Sequence, residues 1–338
     1  MDWFEKLTGF RESDWVRTQA ALSVEGTRLV SSVNKASYEI GRFEMASLAD
    51  LRSRARAGVA KPGRPRVGIV QGNVREMHRD PANAGALFQV ASQFNMLEMT
   101  GPSVTPEQGV TIYEHDRTQG PACAIAAGAT TIWRNYFVSI DGKAGQTAQR
   151  QLDGLADIGA ALSEALGESI ASLWAMRNGY ALPDSEKPLD RIGEHLATLD
   201  TAGIDAMRSL LRIGLHHDVE ATEATPRPGP LVSQAFCSAV PVSYSGIAPG
   251  HWEPFARLVL EATYEATLWA AVLNAQRGMS NVTYLTLVGG GAFGNEETWI
   301  HDALRRAVGL VAGHDLDIRL VSYQAPTPAV QELAAGLA

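Results

Sequence analysis

Apolar positions along the chain follow two different periods. From Leu152 they recur at helical spacing, through Leu155, Ile158, Leu162, Leu166, Ile170 and Leu173, which predicts a helix capped by Asn178-Gly179. Residues 187–210 read as helical as well, and Phe255, Val259, Ala262, Trp269 and Leu273 share one face of a long helix from Trp252 to about Gln276. Shorter β-branched and apolar runs predict strands at Val67–Val74, Ala86–Phe94, Leu211–Glu220, Gln234–Tyr244, 281–288 and Ile318–Tyr323. A helix from Glu296 to about Val308 and a short C-terminal helix complete the alternation. Residues 1–60 carry scattered apolar positions and read as a helical region. Strands alternating with helices imply a parallel or mixed sheet covered on both faces.

Polar punctuation divides the chain. KPGRPR at 61–66 is a connector, TEATPRPGP at 222–230 a surface loop, and Thr100–Gln119 a long loop rich in Gly and Pro. A loop of that length inside a compact domain is usually functional. No internal repeat or low-complexity tract is visible.

Composition narrows the class. The 338 residues fit one enlarged α/β domain, and 45% hydrophobic with 20% charged residues supports a sizeable core. A formal net charge of −8 argues against a general nucleic-acid binder, which would show a basic face. The two cysteines, Cys123 and Cys237, lie far apart, so neither a disulfide framework nor a zinc cluster is expected, and no other metal or cofactor is called for. Cys123 sits in an apolar run and reads as core. The N-terminus has no continuous apolar stretch that would make a signal peptide or membrane span, so cytoplasmic residence without membrane association is expected. His216-His217-Asp218 is a tempting cluster, but adjacent histidines on a strand point to opposite faces and cannot easily share a metal. Trp252, Phe255 and Trp269 read as helix packing.

The densest chemical signal is Gly289-Gly290-Gly291-Ala292-Phe293-Gly294-Asn295, between the strand at 281–288 and a helix. Glycines let the backbone adopt positive φ and approach a ligand closely. The following helix offers unpaired N–H groups to an anion, so a phosphate or pyrophosphate is the natural guest. Asn295 is placed as the N-cap, with Glu296 and Glu297 in the first turn; those acids shift an anion toward the loop amides. Gly289, Gly291 and Gly294 also match the dinucleotide fingerprint of an NAD-dependent oxidoreductase. That motif normally opens its domain, whereas here one strand remains, and Asp315 and Asp317 precede that strand instead of closing it.

This turn resembles the second phosphate loop of macrodomains, in the branch similar to poly(ADP-ribose) glycohydrolase. VGIVQGNV at 67–74 resembles the opening macrodomain strand, and FQVASQFN at 88–95 the next one. The resemblance covers roughly 67–138 and 232–325. It implies a three-layer macrodomain-like α/β fold over 67–338, with a helical N-terminal extension at 1–66 and a helical insertion at about 141–230. It also implies that Asn73 stands at the adenine-binding position and Asn95 at the ribose-facing one, with Gln119 in the first, catalytic loop. The family's Gln-Glu-Glu is replaced here by Thr118-Gln119-Gly120-Pro121, so its paired glutamates are missing. Bacterial ADP-ribosyl-arginine hydrolases of similar macrodomain type use loop carboxylates instead, and this sequence resembles them in that respect.

The implied function is an ADP-ribosyl hydrolase acting on an ADP-ribosylated macromolecule; the alternative is a module that binds ADP-ribose without turnover. Cleavage at the anomeric carbon needs a carboxylate to activate water and an acid to protonate the leaving group. Glu114 and Asp116, which an extended segment would place on one side, are the first candidates, with Glu107 third. Tyr244 and Phe293 are placed to stack on a base or cover a ribose.

Overall fold

A computed structural model describes residues 1–59 and 61–337, so Ala60 and Ala338 lie outside the described residues. A seven-stranded mixed sheet forms the centre. Across it the strands run in the order Arg42–Ser47, Arg212–Glu220, Leu231–Cys237, Leu87–Ala91, Val282–Leu285, Asp317–Ser322 and Arg66–Gln71. The last five are mutually parallel, and Arg212–Glu220 runs against both its neighbours.

Period-two alternation within the strands feeds two cores. On Leu87–Ala91, Phe88 and Val90 face one side and Leu87 the other; on Leu231–Cys237, Val232 and Phe236 oppose Ala235 and Cys237. The larger core lies under the 28-residue helix Pro249–Gln276, which packs on the sheet and on helices Leu48–Ala57, Glu186–Thr198, Thr201–Ser209 and Glu297–Leu310. Trp252 and Phe255 are fully buried there, as their helical spacing predicts, each contributing roughly 1.5–3 kcal/mol. Trp269 is buried at 8% exposure on the same helix. Helices Val74–Arg79 and Gln119–Ala126 cover the opposite face. The result is a three-layer α/β architecture.

Three expectations need correction. The N-terminal region is not simply helical: besides short helices it holds a small antiparallel sheet of Leu22–Glu25, Arg28–Ser31 and Ser37–Glu39, and Arg42–Ser47 then enters the main sheet as an edge strand. Each of these strands is short and alternates over only a few residues, too brief to outweigh the surrounding helical spacing. The segment 141–230 is likewise not a purely helical insertion, because Arg212–Glu220 is an interior strand of the main sheet. Finally, the helix from Leu152 is broken into Ala156–Leu166 and Ile170–Leu173, and Asn178-Gly179 is a hairpin turn joining Ala175–Arg177 to Tyr180–Leu182. Both turn residues have positive φ, 48° and 81°, as Asn-Gly prefers in a tight hairpin.

Among the described residues no helix is long and apolar enough to cross a membrane.

Candidate functional site

The C-terminal ends of the parallel strands open into a cleft, the place where open α/β sheets bind ligands. It has two lobes. An inner cavity of about 310 Å³ lies against the glycine turn and includes Ser92, Glu98, Asp116 and Tyr180 in its wall. An outer cavity of about 680 Å³ runs past Asn73, Arg75, Glu114 and Tyr323. Asp116, Thr118, Gln119 and Thr286 line both, which makes the lobes continuous. Both volumes fall in the range of small-molecule sites, about 300–1,000 Å³.

The glycine turn is folded by its own amides. Gly289 and Gly294 take φ of 85° and 68°; Asn295 N–H donates to the Gly289 carbonyl at 2.9 Å, and Gly294 N–H to that of Gly291 at 3.1 Å. A Cβ on Gly294 would lie 1.8 Å from Ser243 Oγ, and one on Gly289 would lie 2.6 Å from Ala239 Cβ. Gly291 is different, since a Cβ there meets nothing within 4 Å. The backbone N–H groups of Gly291, Ala292 and Phe293 donate to no acceptor among the described residues, and all three residues line the inner cavity. Successive free amides of this kind form an anion-binding concavity.

Asn295 is not the helix cap. The helix runs Glu297–Leu310 with Glu296 at the N-cap position, while the buried Asn295 amide donates to the Val240 carbonyl at 2.8 Å. It pins the turn to the segment that follows strand Leu231–Cys237, two places away in the sheet. Gly290, Gly294 and Asn295 shape the turn from outside the cavity, whereas Gly289, Gly291, Ala292 and Phe293 form its wall. Phe293 also meets Tyr180 and Tyr244, with ring centroids 5.3 and 5.7 Å apart. The two aromatics singled out from sequence therefore gain a third member.

The other sequence candidates divide. Asn73 caps helix Val74–Arg79, accepting from Arg75 N–H at 3.0 Å, and lines the outer lobe. Gln119 lines both lobes but is anchored: its Oε1 accepts from Ala91 N–H at 2.9 Å and its Nε2 donates to the Gln89 carbonyl at 2.8 Å. Asn95 lies outside the cleft, fully buried, donating to Gln151 Oε1 at 2.9 Å and accepting from Leu97 N–H at 3.1 Å. The strand preceding it ends at Ala91, so Asn95 belongs to the turn that follows. Glu107 also lies outside: both its oxygens accept from Ala148 N–H, at 2.9 and 3.0 Å, tying the loop down. Glu114 and Asp116 do not share an extended segment. Glu114 is exposed on the 3₁₀ turn Thr111–His115 and borders the outer lobe, while Asp116 follows it and borders both. Asp116 Oδ1 accepts from Thr118 N–H at 2.8 Å and Thr118 Oγ1 at 2.6 Å; Oδ2 accepts from none of the described residues.

Sequence reasoning missed Glu98. The residue is 1% exposed, with its side chain fully buried, and it lines the inner cavity. Oε1 lies 3.3 Å from Arg134 Nη2, and Oε2 has no hydrogen-bond partner. Burial pushes the carboxyl up to about 7, against the pull of the Arg134 guanidinium. Arg134 is equally buried, with Nε donating to the Met96 carbonyl at 3.0 Å and its cation 3.7 Å from the centre of the Phe236 ring. In the sequence Glu98 stands alone in an apolar run, Met96-Leu97-Glu98-Met99. A charged residue embedded among buried apolar ones was the available signal.

The remaining clusters are structural. His216 packs between Phe43 and Trp133, and His217 Nε2 lies 3.0 Å from Glu44 Oε1. Cys123 and Cys237 are buried and free. Asp315 and Asp317, the acids a dinucleotide fingerprint would need near the glycine turn, sit at the opposite, N-terminal edge of the sheet. There they pair with Arg66 and Arg319.

No known protein family profile matches the chain, and no curated protein matches it in sequence. Among solved structures it is similar to poly(ADP-ribose) glycohydrolase from Thermomonospora curvata, at 12% identity over 96% of each chain, with a TM-score of 0.46. It is also similar to a variant of the Deinococcus radiodurans enzyme in complex with ADP-ribose, at 12% identity over 88% of this chain and 95% of that one, with a TM-score of 0.48. The T. curvata enzyme bound to the inhibitor ADP-HPD gives 11% identity, 95% of each chain and a TM-score of 0.43.

Proposed function

We propose that the protein is a hydrolase that releases ADP-ribose from a modified macromolecule by water attack at the anomeric carbon. The observation that carries this reading is the row of free amides at Gly291, Ala292 and Phe293 in the wall of a cavity that also contains buried and half-buried carboxyls. Amides of that kind suit a diphosphate, and with the diphosphate fixed the attached ribose is held against the acids. Among the described residues no Lys or Arg lines the inner lobe, so backbone donors take the anion there, while Arg75 and Arg117 border the outer lobe. The outer lobe has room for the nucleoside end, beside Asn73 and Tyr323. Asp116 borders both lobes and has a free oxygen, which suits it to activate water.

The test begins with calorimetric titration of ADP-ribose beside NAD and AMP. It continues with release of ADP-ribose from proteins modified on serine, glutamate or arginine. Preferred binding of ADP-ribose together with release from one linkage is expected; release from the arginine linkage would place the protein with arginine-specific hydrolases. Binding of ADP-ribose without release from any substrate would reduce it to a binding module. Absence of ADP-ribose binding would remove the reading altogether.

A further inference from the structure

Among the described residues three carboxylates border the cleft: Glu98, Glu114 and Asp116. Glu114 is exposed and Asp116 half-buried, while Glu98 is withdrawn from water at the wall that also carries the glycine turn. The segment that holds it is rigidly built. Gln93 Oε1 accepts from Met99 N–H at 2.7 Å, Tyr180 hydroxyl donates to the Met99 carbonyl at 2.8 Å, and Glu98 N–H donates to Tyr113 hydroxyl at 3.2 Å. The helix Gln119–Ala126 passes so close that a Cβ on Gly120 would lie 3.2 Å from Glu98 Cγ.

A buried ion pair kept for structure alone satisfies its lone pairs and protons, because each unpaired one costs free energy. Here Glu98 Oε2 and Arg134 Nη1 both lack partners among the described residues. A fully buried carboxyl with an unpaired oxygen and one charged partner, on a residue that borders a cleft, is the environment in which a proton donor is tuned. The titratable and charged groups around Glu98 are Arg134, Tyr113 and Cys123, with Asp116, Tyr180 and Tyr244 on the same cavity. Burial holds the Tyr113 phenol and the Cys123 thiol well above their ordinary values, so both stay neutral. Burial outweighs what opposes protonation of Glu98, namely Arg134 and a backbone hydrogen bond at Glu98 itself.

Resting on the hydrolase reading, we propose that Glu98 is the catalytic acid and Asp116 the base. The glycosidic bond breaks with its electron pair going to the leaving atom, which takes the proton from Glu98. Water attacks the anomeric carbon and gives its proton to Asp116. Each turnover thus leaves Glu98 ionised and Asp116 protonated, and exchange with solvent restores both.

The test compares two substrates: a peptide carrying serine-linked ADP-ribose, whose departing alkoxide needs a proton, and para-nitrophenyl ADP-ribose, whose phenolate leaves without one. In Glu98→Gln, turnover of the peptide should fall at least ~100-fold, the usual scale for a lost general acid. Turnover of the aryl substrate and the calorimetric affinity for ADP-ribose should stay close to wild type. Equal losses on both substrates with binding retained would make Glu98 a structural residue and overturn the assignment. Should the variant fail to fold, the wild-type pH dependence decides: kcat for the peptide should decline above about 7 while kcat for the aryl substrate does not. Identical profiles for the two substrates would overturn the proposal. Wild-type protein that neither binds nor releases ADP-ribose overturns the hydrolase reading first, and this proposal with it.

Discussion

Glu98 and Arg134 face one another with both side chains out of solvent, Oε1 3.3 Å from Nη2, and each leaves one terminal atom unpaired. The carboxyl is held up to about 7 and the guanidinium is lowered from its ordinary value, in both cases by burial above all. The pair's mutual attraction therefore does not offset what burial costs each member.

A pH dependence of stability follows. Glu98 titrates near 7 in the fold and near 4.5 in the unfolded chain, so the unfolded chain gives up this proton more readily. Its contribution is fully present below about 4.5 and is lost as pH rises through about 7. Urea midpoints at pH 4.5, 6 and 8 should fall for wild type relative to Glu98→Gln. Parallel curves would mean that Glu98 is ionised in the fold throughout.

The two ends of the glycine turn should respond differently to substitution. Gly294→Ala places a Cβ 1.8 Å from Ser243 Oγ at a φ of 68°, which should cost about 1–3 kcal/mol of stability. Gly291→Leu points into open space, so thermal unfolding should barely change while ADP-ribose affinity falls at least ~10-fold, equivalent to ~1.4 kcal/mol. Scanning calorimetry and titration on both variants separate the effects.

Asp116 and Glu107 stand nine residues apart on the same loop and should part company in an assay. Asp116→Asn should lower turnover about 10²–10⁴-fold with ADP-ribose still bound, as loss of a general base does. Glu107→Ala removes the acceptor for Ala148 N–H and touches neither lobe. It should cost about 1 kcal/mol of stability and leave kcat unchanged. Loss of turnover in Glu107→Ala with normal stability would contradict its placement.

Far from the cleft, Glu265 lies buried on the long helix between Arg52 and Arg306, which hold its carboxyl below the usual range. Glu265→Ala removes the buried partner of two arginines that both keep Asp205, and should destabilise the protein by about 1–3 kcal/mol. Because its pKa is depressed, the wild-type contribution is present above the unfolded carboxylate value and fades as pH falls through the folded one. Chemical denaturation of wild type and variant should therefore converge in acid.

Much of the architecture was legible in the chain because it depends on local periodicity. The helix Pro249–Gln276 and the strand-turn-helix around Gly289 emerge from spacing alone, since each is long or apolar enough to specify itself. Arg42–Ser47 was hidden, because an edge strand with one exposed side lacks a continuous apolar run. Asn178-Gly179 fits a helix end as well as a turn, because a positive-φ pair serves helix caps and hairpins equally; only the pairing of Ala175–Arg177 with Tyr180–Leu182 decides between them.

At the cleft, the sequence by itself determined that a glycine turn would follow a buried strand and that acids would crowd the loop from Thr100 to Gln119. The tertiary structure decided which acids border the cleft. Burial is a property of everything packed around a side chain, so nothing local distinguishes Glu107, spent on Ala148, from Asp116, which keeps an oxygen free. Glu98 and Arg134 are 36 residues apart, and the low dielectric that raises the carboxyl exists only once helix, turn and sheet have closed around them.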